Sequence, residues 1–148
     1  MSLGQVAVIG AGSWGTALVK LLSGNAERVG WWVRGEKNIA HIRKYGHNPN
    51  YISAAQFEVD RLAMSDDLHA VVKEADTLIV AVPSAFLKNT MEKLDKSELA
   101  GKTLFSAVKG IVPETNQIVG EYLFEHWGVA KENFGVVCGP CHAEEVAM

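Results

Sequence analysis

Short runs of apolar and β-branched residues alternate along the chain with longer stretches whose apolar positions recur every three or four residues. Residues 5–9 read as a buried strand. Residues 16–22 carry Ala17, Leu18, Leu21 and Leu22 on one helical stripe, which Ser23-Gly24-Asn25 ends. A second strand is predicted at 29–33 and a helix at 36–45, before Gly46-His47-Asn48-Pro49-Asn50 breaks the chain. After a short run at 61–64, Ser65-Asp66-Asp67 has the chemistry of a helix N-terminus, with the helix body at 68–75. Residues 77–82 are a strand stopped by Pro83, and a helix at 85–94, a strand at 103–108, a helix at 114–126 and a strand at 134–137 follow. Gly139-Pro140 then leads into a helix start over 142–147, while Met1-Ser2-Leu3 adds nothing to the first strand. This rhythm predicts βαβ units in one domain spanning 1–148: an α/β fold with a mainly parallel sheet and helices on both faces.

The 14 Lys+Arg against 17 Asp+Glu leave a net charge of −3, so the basic excess that a polyanion binder uses is missing and no nucleic-acid partner is expected. A chain of 148 residues can bury roughly 70% of its unfolded surface, enough to hold a core without metal or disulfide. No apolar run approaches the ~20 residues that span a bilayer, and no basic segment precedes the apolar stretch at Val6 as in a signal peptide. A cytoplasmic location without membrane insertion is the expectation.

Gly10-Ala11-Gly12-Ser13-Trp14-Gly15 matches G-x-G-x-x-G, with a strand directly before it and an amphipathic helix directly after. Gly10 permits the tight turn, Gly12 lets backbone approach a pyrophosphate, and Gly15 lets helix and strand pack closely. The N–H groups and dipole at the helix start favour the anionic phosphates. About 20 residues on, where an acid would bind the ribose of NAD, the chain reads Trp31-Trp32-Val33-Arg34-Gly35. A guanidinium there can pair with a 2′-phosphate or stack over adenine, which points to NADP alongside NAD; the alternative is a solvated surface arginine, with Glu36 within reach of a ribose.

Ligands of open parallel sheets lie outside the carboxyl ends of the strands. The residues there are Val82-Pro83-Ser84-Ala85-Phe86, of which Pro83 and Phe86 are candidate cofactor contacts, then Lys109-Gly110 and Gly139-Pro140-Cys141-His142. Lys109 could bind a substrate phosphate or polarise a carbonyl.

Six motifs in order carry a resemblance: Gly10-Ala-Gly-Ser-Trp-Gly-Thr-Ala-Leu18, Trp32-Val-Arg34, His47-Asn-Pro-Asn-Tyr51, Ala81-Val-Pro-Ser84, Lys109-Gly110 and Gly139-Pro-Cys-His-Ala-Glu-Glu-Val-Ala147. Together they resemble the NAD(P)-dependent glycerol-3-phosphate dehydrogenases of the bacterial type. The resemblance implies a Rossmann-type doubly wound fold and reversible hydride transfer between NAD(P)H and dihydroxyacetone phosphate, giving sn-glycerol 3-phosphate for phospholipid synthesis. By position it implies cofactor contacts from Ser13, Trp14, Arg34, Lys109 and Ala143, and substrate contacts from Lys109, Gly139 and Cys141. It further implies a homodimer of the full-length enzyme and a helical domain beyond Met148 that carries the acid/base lysine. The chain is therefore expected to be incomplete at its C-terminal end and inactive alone. At Cys141 the family carries a serine or threonine, better hydrogen-bond donors than a thiol.

Two other classes of function remain open from the residues. Cys138-Gly139-Pro140-Cys141 spells a thioredoxin-type redox tetrapeptide between a strand and a helix start, although such a motif belongs early in that fold and leaves the glycine turn unexplained. A nucleotide-sensing module would share the fold without the chemistry. A zinc site would need two ligands besides Cys138 and Cys141, and only His142 is adjacent, so no metal is expected. Trp31, Trp32 and Trp127 read as packing residues, Met91 and Leu94 as a helical core face, and His41, His69 and His126 have no partner at catalytic spacing.

Overall fold

The first apolar run becomes strand β1 (Val6–Ile9), buried throughout, in a computed structural model that describes residues 4–139 and 142–148. The readings of Met1-Ser2-Leu3, Pro140 and Cys141 fall outside the described residues. Strand and helix then alternate as α1 (Ser13–Ser23), β2 (Val29–Trp32), α2 (Glu36–Tyr45), β3 (Leu62–Ser65), α3 (Leu68–Glu74), β4 (Thr77–Val80), α4 (Ser84–Met91) and β5 (Thr103–Ser106). A small pair, β6 (Ile111–Val112) and β7 (Gln117–Ile118), precedes α5 (Val119–Trp127), β8 (Phe134–Val136) and α6 (Ala143–Ala147).

Six strands form one sheet in the order β3-β2-β1-β4-β5-β8, each pair parallel, with Val6 level with both Val29 and Thr77. The chain winds outward from β1 to β3, then crosses back to β4 and winds the other way. The strand order reverses between β1 and β4, and the crevice outside their carboxyl ends is where such a sheet binds ligands. Because alternate side chains point to opposite faces, the sheet feeds two cores. Val6, Val8 and Trp31 pack with α1 and α2 residues such as Leu18, Val19, Ile39 and Ile42. Ala7, Ile9, Leu78 and Val80 pack on the other face with Val72, Leu87, Met91 and Leu123. This is the doubly wound arrangement expected from the sequence.

Several boundaries differ from the sequence reading: β4 ends at Val80 and not at 82, α4 at Met91 and not at 94, and β5 at Ser106 and not at 108; two further differences have a local cause. Helix α1 starts at Ser13, inside the glycine turn, because Gly12 has an extended backbone (φ −74°, ψ −174°) and serves as the N-cap itself. The helix expected at 114–126 begins only at Val119; before it, Ile111 pairs antiparallel with Ile118 and Val112 with Gln117. The amides of Thr115 and Asn116 both donate to the Val112 carbonyl, at 3.3 and 2.8 Å, and Asn116 takes a left-handed φ of +56°. That turn captures the polar residues, and the apolar face of Val119, Tyr122 and Leu123 starts after it.

Asp67 caps α3 as expected, its carboxylate accepting from the amides of His69 and Ala70 at 2.9 and 3.3 Å. No helix among the described residues is long and apolar enough to cross a membrane.

Candidate functional site

The turn after β1 is shaped by what a side chain would hit. Gly10 has φ +122°, and a Cβ there would lie 2.6 Å from the Ala81 carbonyl oxygen at the end of β4. A Cβ at Gly15 would collide with the Gly10 carbonyl. At Gly12 the opposite holds: a Cβ would meet nothing within 4 Å. Two of the three glycines are therefore demanded by the fold. The third is bare backbone facing open space.

Side chains distant in sequence hold this turn. The Trp31 indole N–H, from β2, donates to the Gly10 carbonyl at 2.9 Å, and Asn48, from the loop after α2, donates to the Ala11 carbonyl at 3.1 Å. No side chain caps α1, and its first turn carries no acid. An uncapped helix start retains amide donors and a partial positive charge for an anion.

In front of the turn lies a cavity of ≈ 410 Å³, bounded by Gly10, Gly12, Trp32, Arg34, Pro83 and Phe86, together with Asn48, Asn50 and Tyr51. Depressions of ≈ 440 Å³ between α3 and the edge strand β3, and of ≈ 550 Å³ beside His69 and Glu98, are no smaller. Chemistry separates them, since the first alone combines the strand ends, the uncapped helix and an exposed arginine. Arg34 follows β2, and its carbonyl accepts from the Asn38 side chain at 2.9 Å. Phe86 is 53% exposed, an apolar surface available to a flat ring.

Of the expected site residues, Gly10, Gly12, Arg34, Pro83 and Phe86 border this cavity. Ser13, Trp14 and Gly15 form the first turn of α1. The Lys109 ammonium, just past β5, lies 5.8 Å from the centre of the Trp14 ring, within range of a cation–π contact. Ala143 packs beside Trp14 and Ala17, where α6 meets α1. Gly139 follows β8 with φ +133°, and Cys141, the remaining substrate candidate, lies outside the described residues. Cys138 is exposed, and the redox tetrapeptide reading turns on the undescribed Cys141.

Sequence reasoning missed the roles of Trp31, Trp32 and Asn48. Trp31 is fully buried and packs as expected, yet it also pins the turn; Trp32 borders the cavity and donates to the Asp66 carbonyl at 2.9 Å. No periodicity signals such bonds. His69 does have a partner: its Nδ1 lies 2.8 Å from a Glu98 carboxylate oxygen, in an exposed pair away from the cavity. The hydrogen bond and charge of Glu98 raise the His69 pKa above its ordinary value, and the Asp95 amide, followed by His69, lowers that of Glu98. Burial pushes the Tyr122 hydroxyl upward. Among the described residues no cluster of His, Cys, Asp or Glu could hold a metal ion.

A family model described as NAD-dependent glycerol-3-phosphate dehydrogenase N-terminus matches residues 5–148. The chain is 36% identical over 145 residues to the glycerol-3-phosphate dehydrogenase (NAD(P)+) of Ectopseudomonas mendocina, covering 98% of this chain and 42% of the relative. Against the enzyme of the same name from Oceanobacillus iheyensis, identity is 33% over 147 residues, covering 97% and 41%. The crystal structure of glycerol-3-phosphate dehydrogenase from Coxiella burnetii superposes with a TM-score of 0.83 at 25% identity, covering 97% of this chain and 43% of that one. The chain thus spans less than half the length of the relatives it matches. With the six ordered motifs, the doubly wound sheet and this match along nearly its whole length, the chain belongs to the family of the NAD-dependent glycerol-3-phosphate dehydrogenase N-terminus.

Proposed function

We propose that this chain is the cofactor-binding part of an NAD(P)-dependent glycerol-3-phosphate dehydrogenase. It holds NADP or NAD across the crevice between β1 and β4. The observation that carries the reading is the start of α1: bare backbone at Gly12 and a helix terminus that no side chain caps, both beside the cavity. A pyrophosphate suits that surface because amide donors and the helix dipole bind it without a side chain in the way. The backbone of Gly10, Gly12, Ser13 and Gly15 and the side chain of Trp14 hold the pyrophosphate half, and Arg34 meets the adenosine ribose. Pro83 and Phe86 offer an apolar wall to a ring. Ala143 backs Trp14 from α6.

When bound, the reduced cofactor would supply a hydride to dihydroxyacetone phosphate, giving sn-glycerol 3-phosphate for phospholipid synthesis, and in reverse the oxidised cofactor would accept one from sn-glycerol 3-phosphate. Lys109, with Gly139 and Cys141, binds the substrate's phosphate and orients its carbonyl. The acid/base lysine is assigned to the part of the relatives that this chain does not match, so residues 1–148 by themselves are expected to bind nucleotide without turnover. The full-length enzyme works in the cytoplasm as a homodimer.

Intrinsic fluorescence tests the reading, because Trp14 and Trp32 sit at the site. Titration with NADPH and with NADH should give saturable quenching, while addition of dihydroxyacetone phosphate should consume no NADPH. Quenching that never saturates would remove the cofactor assignment, and turnover by this chain would remove the need for a second domain.

A further inference from the structure

Asn48 makes more of its hydrogen-bonding capacity than a loop residue usually does. Its side chain is buried, 2% exposed, and its Nδ2 donates to the Ala11 carbonyl at 3.1 Å and to the Thr16 hydroxyl at 2.9 Å. Its Oδ1 accepts from the Asn50 amide at 3.0 Å. Both side-chain hydrogens are thus engaged across 32 to 37 residues of chain, and one acceptor site is engaged locally, two residues on. Thr16 is itself fully buried on the second turn of α1. One amide therefore ties the loop after α2 to the glycine turn and to the helix that follows.

The consequence for the turn comes from peptide geometry. A trans peptide is planar, with its carbonyl and N–H pointing opposite ways. The bond from Asn48 fixes the Ala11 carbonyl, and so fixes the direction of the Gly12 N–H. The bond from Trp31 to the Gly10 carbonyl does the same for the Ala11 N–H. Donors that are already aimed cost nothing to orient when an anion arrives.

We propose that Asn48 is a positioning residue for dinucleotide binding, holding the Ala11–Gly12 peptide so that its N–H is presented to the pyrophosphate. The role rests on the cofactor reading above. The ribose end is held independently: Asn38 donates to the Arg34 carbonyl within the start of α2, a local bond that survives loss of Asn48. Asn50 donates to Asn38 Oδ1 at 3.2 Å in an exposed contact that water can replace.

The test compares Asn48→Ala with the wild type against two probes, NADPH and adenosine 2′-monophosphate, the second having no pyrophosphate. Loss of the bond to Ala11 should weaken NADPH by about ten-fold or more. Adenosine 2′-monophosphate should bind the variant as it binds the wild type. Equal losses for both probes would mean general damage to the cleft and overturn the role, as would unchanged NADPH affinity. A wild type that binds neither probe would instead sink the cofactor reading. If Asn48→Ala does not fold, isotope-labelled wild type decides: saturating NADPH should slow solvent exchange of the Asn48 side-chain amide, adenosine 2′-monophosphate should not, and an amide unmoved by NADPH overturns the proposal.

Discussion

The indole N–H of Trp31 donates to the carbonyl of Gly10 at 2.9 Å, joining the middle of β2 to the first residue after β1. The ring is fully buried and stacks at a tilt on Phe57, 5.4 Å between centroids, so the donor cannot drift. A residue that looks like core packing thereby sets the backbone of the turn.

Trp31→Phe keeps an aromatic ring in this core and removes the donor. The Gly10 carbonyl is then left buried without that partner, and the fold should lose about 1–3 kcal/mol in urea denaturation. NADPH affinity should fall as well, because the turn is no longer pinned. A variant as stable as the wild type would show that the bond contributes nothing.

Arg34→Ala should weaken NADPH more than NADH, since an exposed guanidinium beside the cavity discriminates chiefly for the 2′-phosphate. The difference should shrink as salt is raised, as expected of a charge pair open to solvent. Fluorescence titrations of both cofactors at two ionic strengths check this. Equal losses for the two would place Arg34 over the adenine, and no loss for either would leave it in solvent.

The pair of His69 and Glu98 predicts a pH-dependent contribution to stability. His69 is raised from 6.5 by Glu98, so its contribution is present below that value and disappears as pH rises through the higher folded value. Glu98 is lowered from 4.5, first by the Asp95 amide and then by His69, so its contribution is present above 4.5 and disappears as pH falls through the lower folded value. Both act together between pH 4.5 and 6.5. His69→Gln should lower Tm inside that window and leave it unchanged well above the raised histidine value. An equal drop at alkaline pH would assign the effect to packing instead.

Much of this arrangement is legible along the chain because its signals are local. The apolar runs at β1, β2 and β4 stand out from sequence alone, and the glycine spacing with a strand before and a helix after places the turn. The rest depends on contacts between distant residues. Asn48 falls within Gly46-His47-Asn48-Pro49-Asn50, which reads only as a break, and its partners Ala11 and Thr16 lie on the far side of β2 and α2 in the chain. The pairing of β6 with β7 is equally hidden: two residues on each side are too few for a period to register. His69 and Glu98 meet only because α3 packs beside the turn at Lys96–Leu99.

The most direct measurement is NADPH affinity and thermal stability of Gly12→Ser. Gly12 has an extended backbone any residue can adopt, a Cβ there meets no atom within 4 Å, and serine is a favoured N-cap. The fold should therefore be as stable as the wild type or slightly more so. The new hydroxyl competes for the helix amides and stands where phosphates approach, so NADPH affinity should fall by about ten-fold or more. Stable protein that binds NADPH as tightly as before would contradict the claim that this turn holds the pyrophosphate.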